Sequence, residues 1–67
     1  MTRIKLNGKD TEIESGLTVA ALLRGMDVRP KSALVELNLR VLSPENWKKT
    51  ALNDGDTVEI FSFVTGG

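Results

Sequence analysis

The chain has 67 residues, nine of them basic and nine acidic. That is one domain with a small core, since a chain of this size buries only about 60% of the surface its unfolded form exposes. The charge balance gives no basic excess for nucleic acid or an anionic membrane surface. The lack of cysteine and histidine removes disulfides, thiol catalysis, the commonest metal ligands and the usual general base.

Ile4 and Leu6 alternate with Arg3, Lys5 and Asn7, the period-2 pattern of a half-buried strand. Asn7-Gly8 is a residue pair suited to the positive φ values of a tight hairpin, and Thr11-Glu12-Ile13-Glu14 reads as the polar returning strand. Ser15-Gly16 breaks the pattern, and Thr18 is a candidate N-cap. Val19, Leu22, Leu23 and Met26 then fall at helical spacing, predicting a helix of two to three turns with an apolar stripe facing the core. Gly25 weakens its end, and Arg29-Pro30 opposes continuation.

From Ala33 to Asn38 the alternation returns, with Val35 and Leu37 on one face and Leu34, Glu36 and Asn38 on the other. Arg40-Val41-Leu42 predicts a second short strand, and Pro44-Glu45-Asn46-Trp47 a single helical turn with a partly buried tryptophan. Asn53-Asp54-Gly55-Asp56 is a turn whose aspartates are explained by turn chemistry rather than by a metal. A last strand starts at Thr57. It turns Val58 and Ile60 to the core and Glu59, Phe61 and Phe63 to the opposite face, where exposed aromatic pairs often mark interfaces; the alternative is that one of them folds back over Trp47 or Leu34 as a minor cluster. The pattern predicts an α+β fold, a mixed sheet of four to five strands wrapped on one helix. Residues 1–63 form the folded body and 64–67 a flexible tail.

The tail, Val64-Thr65-Gly66-Gly67, is where function is expected. Glycine is about 7% of average usage, so a terminal pair arises by chance in roughly 0.5% of chains. Four extended residues reach about 13 Å, and glycine permits close backbone approach in a narrow channel. The reactive group such a tail delivers is the α-carboxylate of Gly67. A carboxylate is a poor electrophile at neutral pH, so a partner must first convert it to an acyl-adenylate with ATP. A sulfur donor then displaces AMP and leaves a thiocarboxylate. The missing cysteine fits this scheme, since sulfur carried by such a chain could not sit on a thiol side chain.

The sequence resembles the ThiS family of thiamine-biosynthesis sulfur carriers, and more broadly the ubiquitin-like β-grasp carriers that include MoaD. The resemblance covers the whole chain. It rests on Ile4-Lys5-Leu6-Asn7-Gly8, Thr18-Val19-Ala20-Ala21-Leu22-Leu23, Ala33-Leu34-Val35-Glu36-Leu37-Asn38, Pro44-Glu45-Asn46-Trp47, Asp54-Gly55-Asp56-Thr57-Val58-Glu59-Ile60 and the Gly66-Gly67 end. It implies a β-grasp fold and adenylation of Gly67 by a ThiF-like enzyme. It also implies a sulfur donor system and delivery to a ThiG-like thiazole synthase; the expected partner-binding residues are Val64, Thr65 and Gly66 in the tail and, from strand parity, Phe61 and Phe63. Leu39 departs from the polar or glycine turn residue of many relatives, and Thr65 from their small or apolar residue.

No cofactor, metal, nucleic acid or membrane is expected, and no catalytic centre. The start of the chain lacks an apolar signal core, so a cytoplasmic, soluble protein is expected. Three alternatives share parts of this pattern. One is a MoaD-like carrier for molybdopterin or tRNA thiolation, and another is a β-grasp interaction module with an inert tail. The last is an enzyme built on residues such as Lys5, Glu36, Arg40 or Asp56.

Overall fold

The computed structural model describes residues 1–63. Thr2–Leu6 (β1) and Lys9–Ile13 (β2) form an antiparallel hairpin, followed by the helix Val19–Gly25 (α1). Ala33–Leu37 (β3), Arg40–Val41 (β4) and Thr57–Ser62 (β5) complete one sheet in the order β2-β1-β5-β3-β4. Two 3₁₀ turns, Pro30–Ser32 and Pro44–Asn46, interrupt the connections, each opened by its proline. β5 pairs parallel to β1 and antiparallel to β3, giving the mixed sheet on one helix that defines the β-grasp arrangement.

Both two-residue hairpin turns use left-handed backbone. Asn7 and Gly8 have φ of 49° and 85°, the positive pair that matches the twist of the flanking strands. Asn38 and Leu39 do the same at 52° and 71°. Leu39 is there against its own preference, since its Cβ is crowded in that region. Asn38 holds the turn in place. Its side-chain oxygen accepts from the Thr57 amide at 2.9 Å and its amide donates to Asp56 Oδ1 at 3.0 Å. The irregular turn thus survives because its first residue is tied to the start of β5.

α1 begins as the sequence predicts, with Thr18 Oγ1 accepting from the Ala21 amide at 3.2 Å. The amides of Val19 and Ala20 are taken by the carbonyls of Thr50 and Trp47, so the chain around Trp47 closes the helix start. The end is set two residues beyond Gly25. Asp27 adopts φ 59°, while the amides of Val28 and Asp27 donate to the carbonyls of Leu23 and Arg24. These are the two bonds of a Schellman motif, with an aspartate where glycine is usual.

The core holds Ile4, Ile13, Val19, Leu22, Leu23, Val35, Trp47, Leu52, Val58 and Ile60. Its strand members follow the predicted parity. Two expectations are corrected. Met26 lies past the helix and stays partly exposed, outside the buried set, because the helix stops before another turn carries it inward. Trp47 is buried rather than partly buried, because its indole N–H donates to the Leu42 carbonyl at 3.0 Å and so loses no hydrogen bond in the core. Leu52, fully buried, comes from a segment in which the sequence shows no periodicity.

Relieving the left-handed leucine tests this account. Leu39 is 84% exposed, so its side chain contributes little packing. Replacing it as Leu39→Gly is expected to stabilise the fold by about 1 kcal/mol, read as a higher urea midpoint at unchanged slope. An unchanged midpoint would mean the turn is not strained.

Candidate functional site

The candidate site starts from β5, because the tail is its continuation. The strand is positioned at both ends by side chains from neighbouring turns. At its start, Asp54 Oδ1 accepts from the Arg3 amide at 2.7 Å, and Asp56 Oδ2 accepts from the Asn53 amide at 2.8 Å. Together with the Asn38 contacts, these bonds occupy both aspartates in turn and strand anchoring, as expected. Further along, β1 ends at Leu6, yet the parallel ladder gains one more bond. Asn7 Oδ1 accepts from the Ile60 amide at 2.8 Å, where a continuing β1 would have offered its carbonyl. The side chain of a turn residue thereby extends the strand that turned away.

At its far end, β5 is paired to β3 up to Ser62, opposite Ala33. The Phe63 amide then donates to the Ser32 carbonyl at 2.7 Å. The backbone is therefore held up to the last described residue. Val64, Thr65, Gly66 and Gly67, four of the expected site residues, lie outside the described residues.

Phe61 and Phe63 are 44% and 55% exposed. Phe61 stands directly opposite Leu34 on the face away from α1, and neither phenylalanine joins the buried cluster around Trp47. The same face places Glu36 opposite Glu59, a like-charge cross-strand pair that costs a few tenths of a kcal/mol. Val41, 62% exposed, lies opposite Glu36 on the other side. The outer face beside the end of β5 is thus apolar and acidic. Sequence parity located its phenylalanines, Leu34 and both glutamates; the place of Val41 and the pairings of Phe61 with Leu34 and of Glu36 with Glu59 required the strand register.

Of the residues considered for an enzyme site, Lys5 and Asp56 meet through the backbone, the Lys5 amide donating to the Asp56 carbonyl at 2.9 Å, and the side chains are otherwise committed or apart. Asp56 is engaged by Asn38 and Asn53, Glu36 lies on the outer face, and Arg40 lies opposite Leu37 on the face that holds Val58. Among the described residues no three His, Cys, Asp or Glu side chains group as metal ligands, and no helix is long and apolar enough to cross a membrane.

Two outcomes are expected from the contacts that seat β5. Asn7→Ala removes the acceptor for the Ile60 amide and should cost about 1–3 kcal/mol, with faster hydrogen exchange at Ile60. Phe63→Ser, at an exposed position, should change stability by no more than about 0.5 kcal/mol. A large loss there in thermal denaturation would assign Phe63 to packing instead of to a docking surface.

Known proteins resemble this chain in both sequence and fold. The ThiS family model matches residues 4–67. The chain is 34% identical to the sulfur carrier protein ThiS of Bacillus subtilis over 96% of its own length and 98% of that protein's. It is 29% identical to ThiS of Escherichia coli, covering 97% and 98% of the two chains. A thiazole synthase of Paramagnetospirillum magneticum is 34% identical over 97% of this chain, which spans only 20% of that protein's length. The crystal structure of the thiamine biosynthesis protein ThiS from Geobacter metallireducens superposes with a TM-score of 0.82 at 35% identity, covering 98% of this chain and all of that one. Sequence and fold agree: the chain belongs to the ThiS family.

Proposed function

We propose that this protein is a cytoplasmic sulfur carrier of thiamine biosynthesis in which residues 1–63 present a reactive tail, 64–67. The observation that carries this reading is the family match itself, which runs without interruption into Gly66-Gly67.

The chemistry is shared with partners. A ThiF-like enzyme activates the carboxylate: one of its oxygens attacks the α-phosphorus of ATP, pyrophosphate leaves, and a mixed anhydride with AMP remains. A donor supplying sulfide then attacks the carbonyl carbon, its sulfur gives up its proton, the C–O bond to AMP breaks with AMP leaving as the phosphate monoester, and a thiocarboxylate remains on the terminus. That group is a better nucleophile than the carboxylate and passes its sulfur to thiazole formation on a ThiG-like thiazole synthase. The thiazole synthase relatives, which contain a region similar to this whole chain, support that last partner.

In this reading Gly66 gives the backbone slimness needed to enter an active site, and Val64 and Thr65 contact its approach. Phe61 and Phe63 supply the apolar docking area, with affinity concentrated in a few such anchors.

Intact mass spectrometry of the protein after incubation with its activating enzyme, ATP and a sulfur donor tests the reading. The expected product is heavier by the difference between one sulfur and one oxygen, located on Gly67 by fragmentation. Deleting Gly67 should abolish the product while leaving the circular dichroism spectrum unchanged. Phe61→Ala with Phe63→Ala should weaken binding to the activating enzyme roughly tenfold or more. Unmodified protein, with the enzyme demonstrably forming adenylate on another carrier, would overturn the assignment.

A further inference from the structure

On the side of the sheet that holds α1, a groove of about 650 Å³ lies between the helix and the two 3₁₀ turns. Leu23, Val28 and Trp47 contribute to its apolar lining. The groove exists because of the way α1 ends. The Schellman bonds fold Val28 back toward Leu23, and the chain then leaves through Pro30 instead of covering the helix flank. The Trp47 turn closes the other side.

The charges around this groove are one-sided. Arg24, Lys31 and Lys48 line it together with a single carboxylate, Asp27. All three cations are exposed, and the ion pair found among the described residues is elsewhere, Arg3 with Glu12 at 3.9 Å. In a chain whose basic and acidic residues cancel, this is a local segregation of positive charge around an apolar trough. Such a surface complements a ligand with an apolar body and anionic flanks.

We propose that the groove docks a segment of a protein partner presenting one large apolar side chain flanked by carboxylates. The groove opens to solvent, which favours an occupant that is held by further contacts outside it. A peptide segment meets that condition, because the rest of its protein adds contact area. Position favours a protein too. Lys31 and Ala33 line the groove, and the residue between them, Ser32, accepts the hydrogen bond from Phe63. An occupant therefore sits beside the root of the tail. The proposal does not rest on the carrier reading, because neither Gly66 nor Gly67 takes part in it.

The probe is a phage-displayed library of random linear peptides panned against the full chain. Enriched peptides should combine a large apolar residue with neighbouring Asp or Glu. The best one, synthesised, should shift the amide resonances of Ala20, Val28, Ala33 and Lys48, and should bind more weakly as salt is raised. Lys31→Glu with Lys48→Glu should weaken it by about tenfold or more, whereas Lys5→Glu with Lys9→Glu, the same charge change on the first hairpin, should have a much smaller effect. If the reversal disturbs the circular dichroism spectrum, Lys31→Gln with Lys48→Gln gives the same comparison with a smaller loss. Four results would overturn the proposal: no enriched acidic and apolar consensus, shifts centred on Phe61 and the outer face, equal losses from both lysine pairs, or a homodimer in sedimentation that the groove variant dissolves.

Discussion

β5 is hydrogen-bonded along both edges, to β1 on one side and β3 on the other, and the rest of the fold is arranged around that fact. The parallel pair is the demanding one, because it joins Lys5 and Leu6 to Thr57 and Val58 from the opposite end of the sequence. Closing so long a loop is entropically costly and is offset only by contacts that form once the ends meet. Val58 and Ile4, both fully buried, are among those contacts. Asn7 lengthens the pairing after β1 has turned, and Asp54 fixes its beginning through the Arg3 amide. Polar turn residues therefore supply anchoring that the short strands cannot supply alone.

One strand then serves two purposes without conflict. Its alternation sends Val58 and Ile60 into the core and Glu59 and Phe61 outward, so anchoring and presentation use different faces of the same backbone. Because Phe63 is still tied to Ser32, the tail is rooted at a fixed point. Ordering by contacts within the fold therefore extends to Phe63, one residue past β5, and no partner has to supply it.

Much of this was legible in the sequence where a local rule operates alone. Asn7-Gly8, Thr18 and the parity of β1, β3 and β5 each report one physical preference, and each appears in the structure. The failures occur where a distant residue decides. Met26 fits the helical spacing but is cut off by the turn at Asp27, which no propensity scale assigns to aspartate over glycine. Leu52 has no periodic neighbours and is buried because its amide reaches the Leu17 carbonyl. The outer face was half visible: Phe61 is placed by parity, while the opposition of Glu36 and Glu59 depends on how two strands separated by about twenty residues align.

The charges on the two sides of the sheet differ in a way the neutral total conceals. Near the end of β5 the outer face carries Glu36 and Glu59 around Leu34, Phe61 and Val41, whereas the groove under α1 carries Arg24, Lys31 and Lys48. Both regions adjoin the last residues of the same strand, through Phe61 on one side and Ser32 on the other. Apolar area alone would let a partner settle in several orientations, since it is non-directional. Opposite charges flanking two apolar regions remove that freedom, because a reversed approach sets like charges against each other. A fold of this size has no room for a deep, shape-selective cleft. Segregating its few charges across a thin sheet is how so small a surface can still distinguish one orientation of a docked molecule from its reverse.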